Sequence, residues 1–447
     1  MAQARARPTP DHRRAWRPPL DDGGSARRAG CQGDRRPGDH EAPAGDGHEL
    51  DGKTDMTQHK QKRAIIVGAG IGGLTAAVAL RRVGIDVHVY ERAAKLLPAG
   101  FGISVMSNAV SALRAMGIDL ALERRGRVVD ISEIRTTSGR VMRRLPVKQL
   151  TEEVGAPCIA IHRADLQAAL LEAAGDCPIH TGAVAKKFSR TPEGVRLEFE
   201  DGSHGDADML IGADGINSVI RGQLAGTSEP RDGGFICWLA FTPFEHPRVP
   251  PGFSGHYWGT GQRFGIHDLG HGRIYWWGTK NMARGAALRW SGGKEEIARL
   301  YRGWADEVQQ AIRITEPEKI LAVPAQDRPF LERWGEGPVT LLGDAAHAMM
   351  PALAQGGSTA IEDAIVLARC LDGEADVERG LRRYESRRRE RTRQMVEMSA
   401  ALGKTEQLET PMRRIVRDLF VRFASDDRLF APFRFALTPP SFTTEPS

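Results

Sequence analysis

Between residues 64 and 91 the chain passes through an apolar strand, a glycine-rich turn, an alanine-rich helix and a second strand ending in an acid. Few folds accept that order. Ala64-Ile65-Ile66-Val67 reads as a buried strand, Gly68-Ala69-Gly70-Ile71-Gly72-Gly73 as the turn, residues 74–83 as the helix and Val87-His88-Val89-Tyr90 as the second strand. The turn is G-x-G-x-x-G. Gly68 permits the sharp bend, Gly70 lets a pyrophosphate approach the backbone, and Gly73 lets the helix close on the strand. Glu91 follows at about the 20-residue distance at which an acid meets a ribose hydroxyl. A bare G-x-G-x-x-G occurs in many structural loops, but with this strand, helix and acid around it the segment points to a dinucleotide on an α/β fold.

A second glycine-rich element lies far down the chain. Gly343-Asp344-Ala345-Ala346-His347 follows the apolar run Val339-Thr340-Leu341-Leu342, and Pro351 precedes Gln355-Gly356-Gly357-Ser358-Thr359-Ala360-Ile361-Glu362-Asp363. The letters read as a strand, a loop and a helix start, with Thr359 and Glu362 at the spacing of a capping box. A helix N-terminus offers unpaired N–H groups and a partial positive charge, which suits a flavin ring that becomes anionic on reduction. The same letters also fit an ordinary glycine-rich connection.

A third segment, Asp208-Met209-Leu210-Ile211-Gly212-Ala213-Asp214-Gly215-Ile216-Asn217-Ser218-Val219-Ile220-Arg221, selects between these readings. With the first two it resembles the single-component (class A) FAD-dependent aromatic monooxygenases, of which p-hydroxybenzoate hydroxylase is typical. The resemblance runs from about residue 63 to residue 371. Ala160-Ile161-His162-Arg163-Ala164-Asp165-Leu166 resembles that family's H-R-x-x-L segment, and Pro98-Ala99-Gly100-Phe101-Gly102-Ile103 its loop beside the flavin.

The resemblance implies an α/β fold: a Rossmann-like FAD-binding domain of glutathione-reductase type, an inserted β-sheet substrate domain and a C-terminal helical segment. It implies FAD as cofactor, NADH or NADPH as a transient co-substrate, and hydroxylation of a small aromatic or polycyclic molecule with O2 through a flavin C4a-hydroperoxide. Epoxidation, another flavin oxidation on the same fold, or FAD binding without catalysis are the alternatives. Carried over by motif, Gly68, Gly70 and Gly73 form the pyrophosphate turn, Glu91 binds the adenosine ribose, and Arg92 lies beside the adenine. Gly102 and Arg163 contact the cofactor, Asp344 bonds its ribitol or pyrophosphate region, Gly356 and Gly357 offer N–H groups to the flavin, and Pro351 lies across the ring.

No catalytic side chain is assigned, because the flavin does the hard chemistry and the protein supplies position and dryness. Trp238, Tyr257, Phe264, Tyr275 and Trp277, in the aromatic-rich stretch 235–277, are candidates for the wall of an enclosed pocket, with Pro351 opposite. For any one of them, hydrophobic core is the competing reading. Trp238-Leu239-Ala240 stands where many relatives carry Trp-Arg-Gly or Tyr-Arg-Ala, and the missing arginine counts against a urate-like or carboxylate substrate. Ala354-Gln355-Gly356-Gly357-Ser358 likewise departs from the usual Gly-Gln-Gly-x-Asn. His347 reads as structural. His267 and His271 are four apart, but the neighbouring glycines oppose a helix, so no metal is assigned.

The 447 residues divide, on this reading, into an unstructured extension (1–58), a first part of the FAD domain (59–232), the substrate sheet (233–323), the completion of the FAD domain (324–372) and a helical C-terminal region (373–447). The extension is rich in Arg, Asp, Gly and Pro, with too little apolar surface to offset ordering. No run approaches the ~18 apolar residues of a membrane span, and no signal-type apolar core is evident, so a cytoplasmic protein without an integral membrane segment is expected. Five scattered cysteines suggest neither a disulfide framework nor a zinc site. The net charge of +5 owes much to residues 382–393, where interleaved glutamates suggest a solvated helix face or one packed on another subunit rather than a nucleic-acid stripe. A monomer or homodimer is expected.

Overall fold

The computed structural model describes residues 61–96 and 100–440. The expected extension over residues 1–58, and Pro98 and Ala99 of the loop expected beside the flavin, lie outside the described residues.

Arg63–Val67 is the central strand of a five-stranded parallel sheet, ordered Val339–Leu341, Met209–Gly212, Arg63–Val67, Asp86–Glu91 and Ile179–Thr181. Each of the three sequence motifs therefore leaves the end of one of three adjacent strands. The helices Ile71–Arg82, Arg163–Ala174 and Gly356–Leu371 join this sheet in one apolar core, which explains the nearly continuous Ala, Val, Ile and Leu of its strands. A three-stranded antiparallel unit, Ala185–Thr191, Gly194–Phe199 and His204–Ala207, lies between the first and third motifs in sequence.

The second large sheet has seven strands, in the order Leu321–Asp327, Arg231–Pro243, Arg273–Asn281, Gln262–Gly270, Phe253–Trp258, Ile131–Thr136 and Val141–Leu145. It draws on more of the chain than the stretch 233–323 expected from composition. Ile131–Thr136 pairs in parallel with Phe253–Trp258 and brings Val141–Leu145 with it. These short strands carry none of the aromatic residues that mark the others, so composition alone assigns them to the wrong domain. Helices Lys294–Leu300 and Asp306–Ile314 cover one face of this sheet and bury Ile297, Val308, Ala311 and Ile312 against it.

Two local expectations fail. The helix begins on the Gly-Gly-Ser-Thr run, at Gly356, but the capping box expected at Thr359 and Glu362 does not form, and the N-cap is Gln355, four residues earlier. Thr359 is then inside the helix, its N–H bonded to the Gln355 carbonyl, and Glu362 faces Arg388 and Arg391 instead of folding back on the helix end. Nor is the arginine-rich stretch a mere solvated face. Arg388 of the long helix Val377–Glu406 is fully buried, 2.7 Å from both Glu362 and Asp363, while Arg383 donates to the Cys370 carbonyl and Arg391 to Glu362 and the Thr438 carbonyl. Burial acts to raise the pKa of both carboxyls, but the facing cations outweigh it, and both are held below their usual range. Removing one partner from such a buried set costs about 3–5 kcal/mol, so these arginines fix the helix Gly356–Leu371 from behind.

Candidate active site

The turn after Arg63–Val67 has the geometry the glycine spacing requires. Gly68 has φ of +106°, and a Cβ there would lie 2.4 Å from the Ala213 carbonyl oxygen. A Cβ on Gly73 would meet the Gly68 carbonyl oxygen at 1.9 Å, whereas one on Gly70 would meet nothing within 4 Å. Two of the glycines are therefore filled by protein, and the third faces open space at the start of the helix Ile71–Arg82. Glu91 leans over this turn, its Oε2 accepting from the Ala69 N–H and its Oε1 from the Ala93 N–H, both at 2.9 Å. Arg92 is exposed just beyond it.

The second glycine-rich motif stands on the neighbouring side of the same sheet. The first-turn N–H groups of Gly356, Gly357 and Ser358 have no partner within the helix by the geometry of its start. Asp344 opens a short helix, Asp344–His347, at the floor of a cleft. Its carboxyl keeps accessible surface but is enclosed by protein, and burial raises its pKa, opposed in part by His347 and Arg163. His347 sits behind it and pairs with Asp363 at 2.5 Å. A role that sequence reading overlooked belongs to Arg221, at the end of the third motif. Its guanidinium donates to the carbonyls of Ala345, Ala346 and Pro329, at 3.0, 3.0 and 2.7 Å, tying the Asp214-Gly215 segment to the Gly343-Asp344 segment. Burial lowers its pKa to about 10. Three carbonyls converging on one arginine explain why the two motifs need each other.

The departures from the family pattern also acquire a place. Ala354 holds the left-handed φ of +52° that a glycine would take at lower cost. Ser358 uses its hydroxyl internally, accepting from the Met106 N–H at 3.0 Å. Asn108, on the helix Ser107–Ala115, bonds both Gln355 and Glu362, at 3.1 and 2.8 Å, so the start of the helix Gly356–Leu371 is held from the front as well.

Across from this helix start lies a cavity of about 370 Å³. Asp344, Pro351, Gly356 and Gly357 line one side, and the seven-stranded sheet lines the other with Cys237, Leu239, Arg263, His267, Tyr275 and Trp277. Of the six pocket candidates, Tyr275, Trp277 and Pro351 are at this cavity. Trp238, Tyr257 and Phe264 are not. A strand turns alternate side chains to opposite faces, and these three point away, into the core beneath the helices Lys294–Leu300 and Asp306–Ile314. Trp238 is fully buried there, edge-on to Trp290 and Tyr301. Tyr257 donates to Glu307 at 2.9 Å.

Gly102 is placed differently from a simple cofactor contact. A Cβ on it would lie 2.2 Å from Tyr275, so its absence lets the strand Gly102–Val105 close on the aromatic wall while its backbone lines the cavity. Arg163 begins the helix Arg163–Ala174, next to the His162 N-cap, with its side chain against Gly100.

Burial favours the uncharged form of the histidines on the sheet wall. Burial lowers the pKa of His256 to about 4 and that of His267 to about 3, with Arg263 adding to the first and His256 to the second. It pushes the Cys237 thiol up to about 11 and raises the Tyr275 phenol further above its ordinary value. His267 is held by Ser254 at 3.0 Å and faces Trp277 edge-on, with ring centres 4.8 Å apart. Among the described residues, Arg263 is the one lysine or arginine lining the sheet wall, and buried Glu406 of the long helix pairs with it. Sequence reading missed Arg263 and His267 as wall residues. The signal was available in Arg263-Phe264-Gly265-Ile266-His267, where polar and apolar letters alternate. Among the described residues, no group of three or more potential ligands is arranged to hold a metal ion.

A pyrophosphate turn on one strand, helix N–H groups beside a carboxyl on its neighbour's neighbour, and a largely apolar cavity opposite define a flavin-dependent oxidoreductase. The chain belongs to the FAD binding domain family, whose model matches residues 61–399. It is 38% identical over 370 residues to aurachin C monooxygenase/isomerase of Stigmatella aurantiaca, covering 83% of this chain and 96% of that protein. It is 32% identical over 336 residues to an FAD-dependent urate hydroxylase of Klebsiella pneumoniae, covering 75% and 88% of the two chains. The crystal structure of Klebsiella pneumoniae HpxO complexed with FAD and uric acid superposes with a TM-score of 0.79 at 28% identity, over 85% of this chain and 97% of that one. The α/β fold, the FAD cofactor and the monooxygenase class expected from the three motifs agree with these relatives.

Proposed function

We propose that this chain uses NAD(P)H and O2 to hydroxylate an uncharged aromatic or polycyclic molecule seated between Asp344-to-Gly357 and the Tyr275–Trp277 wall. The observation that carries this reading is the make-up of the sheet wall: Leu239, Tyr275 and Trp277 beside His256 and His267, whose pKa values burial lowers, and an arginine already paired with Glu406. An anionic substrate would meet no unpaired arginine on the sheet wall, since the position at which many relatives hold one is Leu239.

FAD, when bound, supplies hydride acceptance from NAD(P)H and activation of O2. The residues present fit it. The backbone at Gly70 leaves room for a pyrophosphate, Glu91 is placed for the ribose, and the first turn of Gly356–Leu371 offers N–H donors where negative charge develops on reduction. Arg163 would contact the cofactor, Asp344 would bond its ribitol or pyrophosphate region, and Arg92, exposed beyond Glu91, would lie beside the adenine. Trp277, Tyr275 and Leu239 orient a flat substrate and keep water from the reacting carbon. The ring nitrogens of His267 are engaged by Ser254 and Ser104, at 3.0 and 3.4 Å, so this imidazole positions the wall and does not act as a base.

The test is NAD(P)H oxidation by the FAD-loaded protein across a panel of phenols, quinolones and polycyclic aromatics, set against urate and benzoates. Neutral aromatics are expected to accelerate oxidation and to yield a hydroxylated product. Stimulation by urate or benzoates alone would overturn the substrate class.

A further inference from the structure

The helix Pro411–Phe423 is unlike every other surface element described. Of the eleven large apolar side chains exposed among the described residues, six are on it: Met412, Ile415, Val416, Leu419, Phe420 and Phe423. They recur at the three- and four-residue spacing of a single helix face. Phe423 is 73% and Met412 68% exposed. The helix also carries Arg413, Arg414 and Arg422 outside its core-facing side, with Arg417 buried against Asp418 and Trp258, and Arg428 follows, after Asp426 and Asp427, on the next helix, Asp426–Leu437.

The apolar face has two edges. Val416 and Phe420, with Arg413, line a second cavity of about 540 Å³ beneath the helix, bounded by Met398, Leu402 and Leu429. Met412, Ile415, Leu419 and Phe423 do not reach it and face outward. This second cavity shares Leu145, His256, Ala352, Leu353 and Phe433 with the cavity at Trp277. The two cavities therefore adjoin along these five side chains, between the foot of this helix and the candidate oxygenation site.

We propose that the helix Pro411–Phe423 lies on an anionic membrane surface and that the cavity beneath it is the vestibule through which a lipophilic aromatic substrate enters. An apolar stripe flanked by arginines is the pattern of a helix lying in a lipid interface. No described helix is long and apolar enough to cross a membrane, so contact is peripheral. A second copy of this chain is the less suitable occupant, because a two-fold interface would set one arginine cluster against its own copy. The vestibule role rests on the oxygenase reading of the first cavity. Docking does not, and the assay below uses no substrate, so the two fail separately.

The experiment is co-sedimentation of the full FAD-loaded chain with extruded vesicles of phosphatidylcholine alone and of an equimolar mixture with phosphatidylglycerol, at low and high salt. Binding to the anionic vesicles is expected to be roughly tenfold or more the stronger, and to weaken with salt. The double substitution Ile415→Gln with Leu419→Gln should abolish sedimentation while FAD content and melting temperature stay at wild-type values. Arg413→Gln with Arg414→Gln should remove the anionic preference and leave weak binding to both, and it carries the test alone should the first variant fold poorly. A wild-type chain that stays in the supernatant with both vesicles overturns docking. So does a concentration-dependent dimer that the Ile415→Gln, Leu419→Gln variant dissociates, since the face would then belong to a second copy.

Discussion

The two faces of the seven-stranded sheet are built from the same strands and almost the same letters, yet they serve opposite ends. One face presents Trp238, Tyr257, Phe264 and Trp276 to the helices Lys294–Leu300 and Asp306–Ile314 and is closed, dry core. The other presents Leu239, Arg263, His267, Tyr275 and Trp277 to the cavity. Adjacent residues on one strand, Trp238 and Leu239 or Trp276 and Trp277, part company because successive side chains leave a strand on opposite sides. Aromatic content marks the sheet as a whole; only the phase of the strand says which ring meets a substrate.

That contrast can be broken by exchanging matched tryptophans. The largest effect is expected on the core face. Trp238→Ala removes a fully buried indole that packs against Trp290 and Tyr301, and should cost about 3–5 kcal/mol of stability. Flavin reduction, turnover and FAD retention should all fall together as the melting temperature drops. Trp277→Ala, on the cavity face, should cost less stability because the void opens into space already present. Its signature is a split: NAD(P)H oxidation persists while hydrogen peroxide rises at the expense of hydroxylated product, because water reaches the reacting site. Equal losses of stability in the two variants, with coupling unchanged in both, would erase the distinction between the faces.

A smaller effect sharpens the comparison through pH. The core face is lined by Trp238, Tyr257, Phe264 and Trp276, whereas the cavity face holds His256 and His267, whose folded pKa values are about 4 and about 3. Both lie below the unfolded value of about 6.5. The unfolded chain therefore binds more protons in that window, and stability contributed by these groups is fully present above about pH 6.5 and is lost as pH falls toward 4 and then 3. The loss should reach on the order of 2–3 kcal/mol, softened by water in the cavity. Denaturant melts of the wild type and of His267→Gln between pH 7 and pH 4.5, a range chosen to span about two pKa units, check this: the variant should show the shallower decline.

How much was legible in the sequence follows from the same geometry. The glycine turn, the strand–helix order and Glu91 were readable because backbone sterics leave few residues able to serve there, and Gly68 and Gly73 are indeed packed where no side chain fits. The cap of the flavin-side helix was misplaced by four residues because Thr359 and Glu362 mimic a capping box, while the buried partners of Glu362 come from Asn108 and from Arg388 and Arg391, far away in sequence. Long-range ion pairs leave no local trace. The same holds for Arg221, whose three carbonyl partners are more than a hundred residues away. Trp238, Tyr257 and Phe264, three of the five aromatic wall candidates, were misassigned because residue type was read without strand phase, although the alternation through residues 263–267 carried that information.

The most direct test of the central claim, that an aromatic substrate is oxygenated in the cavity between Gly356-Gly357 and Trp277, is turnover under 18O2 with the aromatic that most accelerates NAD(P)H oxidation, in wild type and in Trp277→Ala. The account predicts a wild-type product carrying one labelled oxygen atom, and a Trp277→Ala variant that consumes NAD(P)H but shifts the label into hydrogen peroxide. Oxygen in the wild-type product drawn from water, or a Trp277→Ala variant as tightly coupled as the wild type, would contradict it.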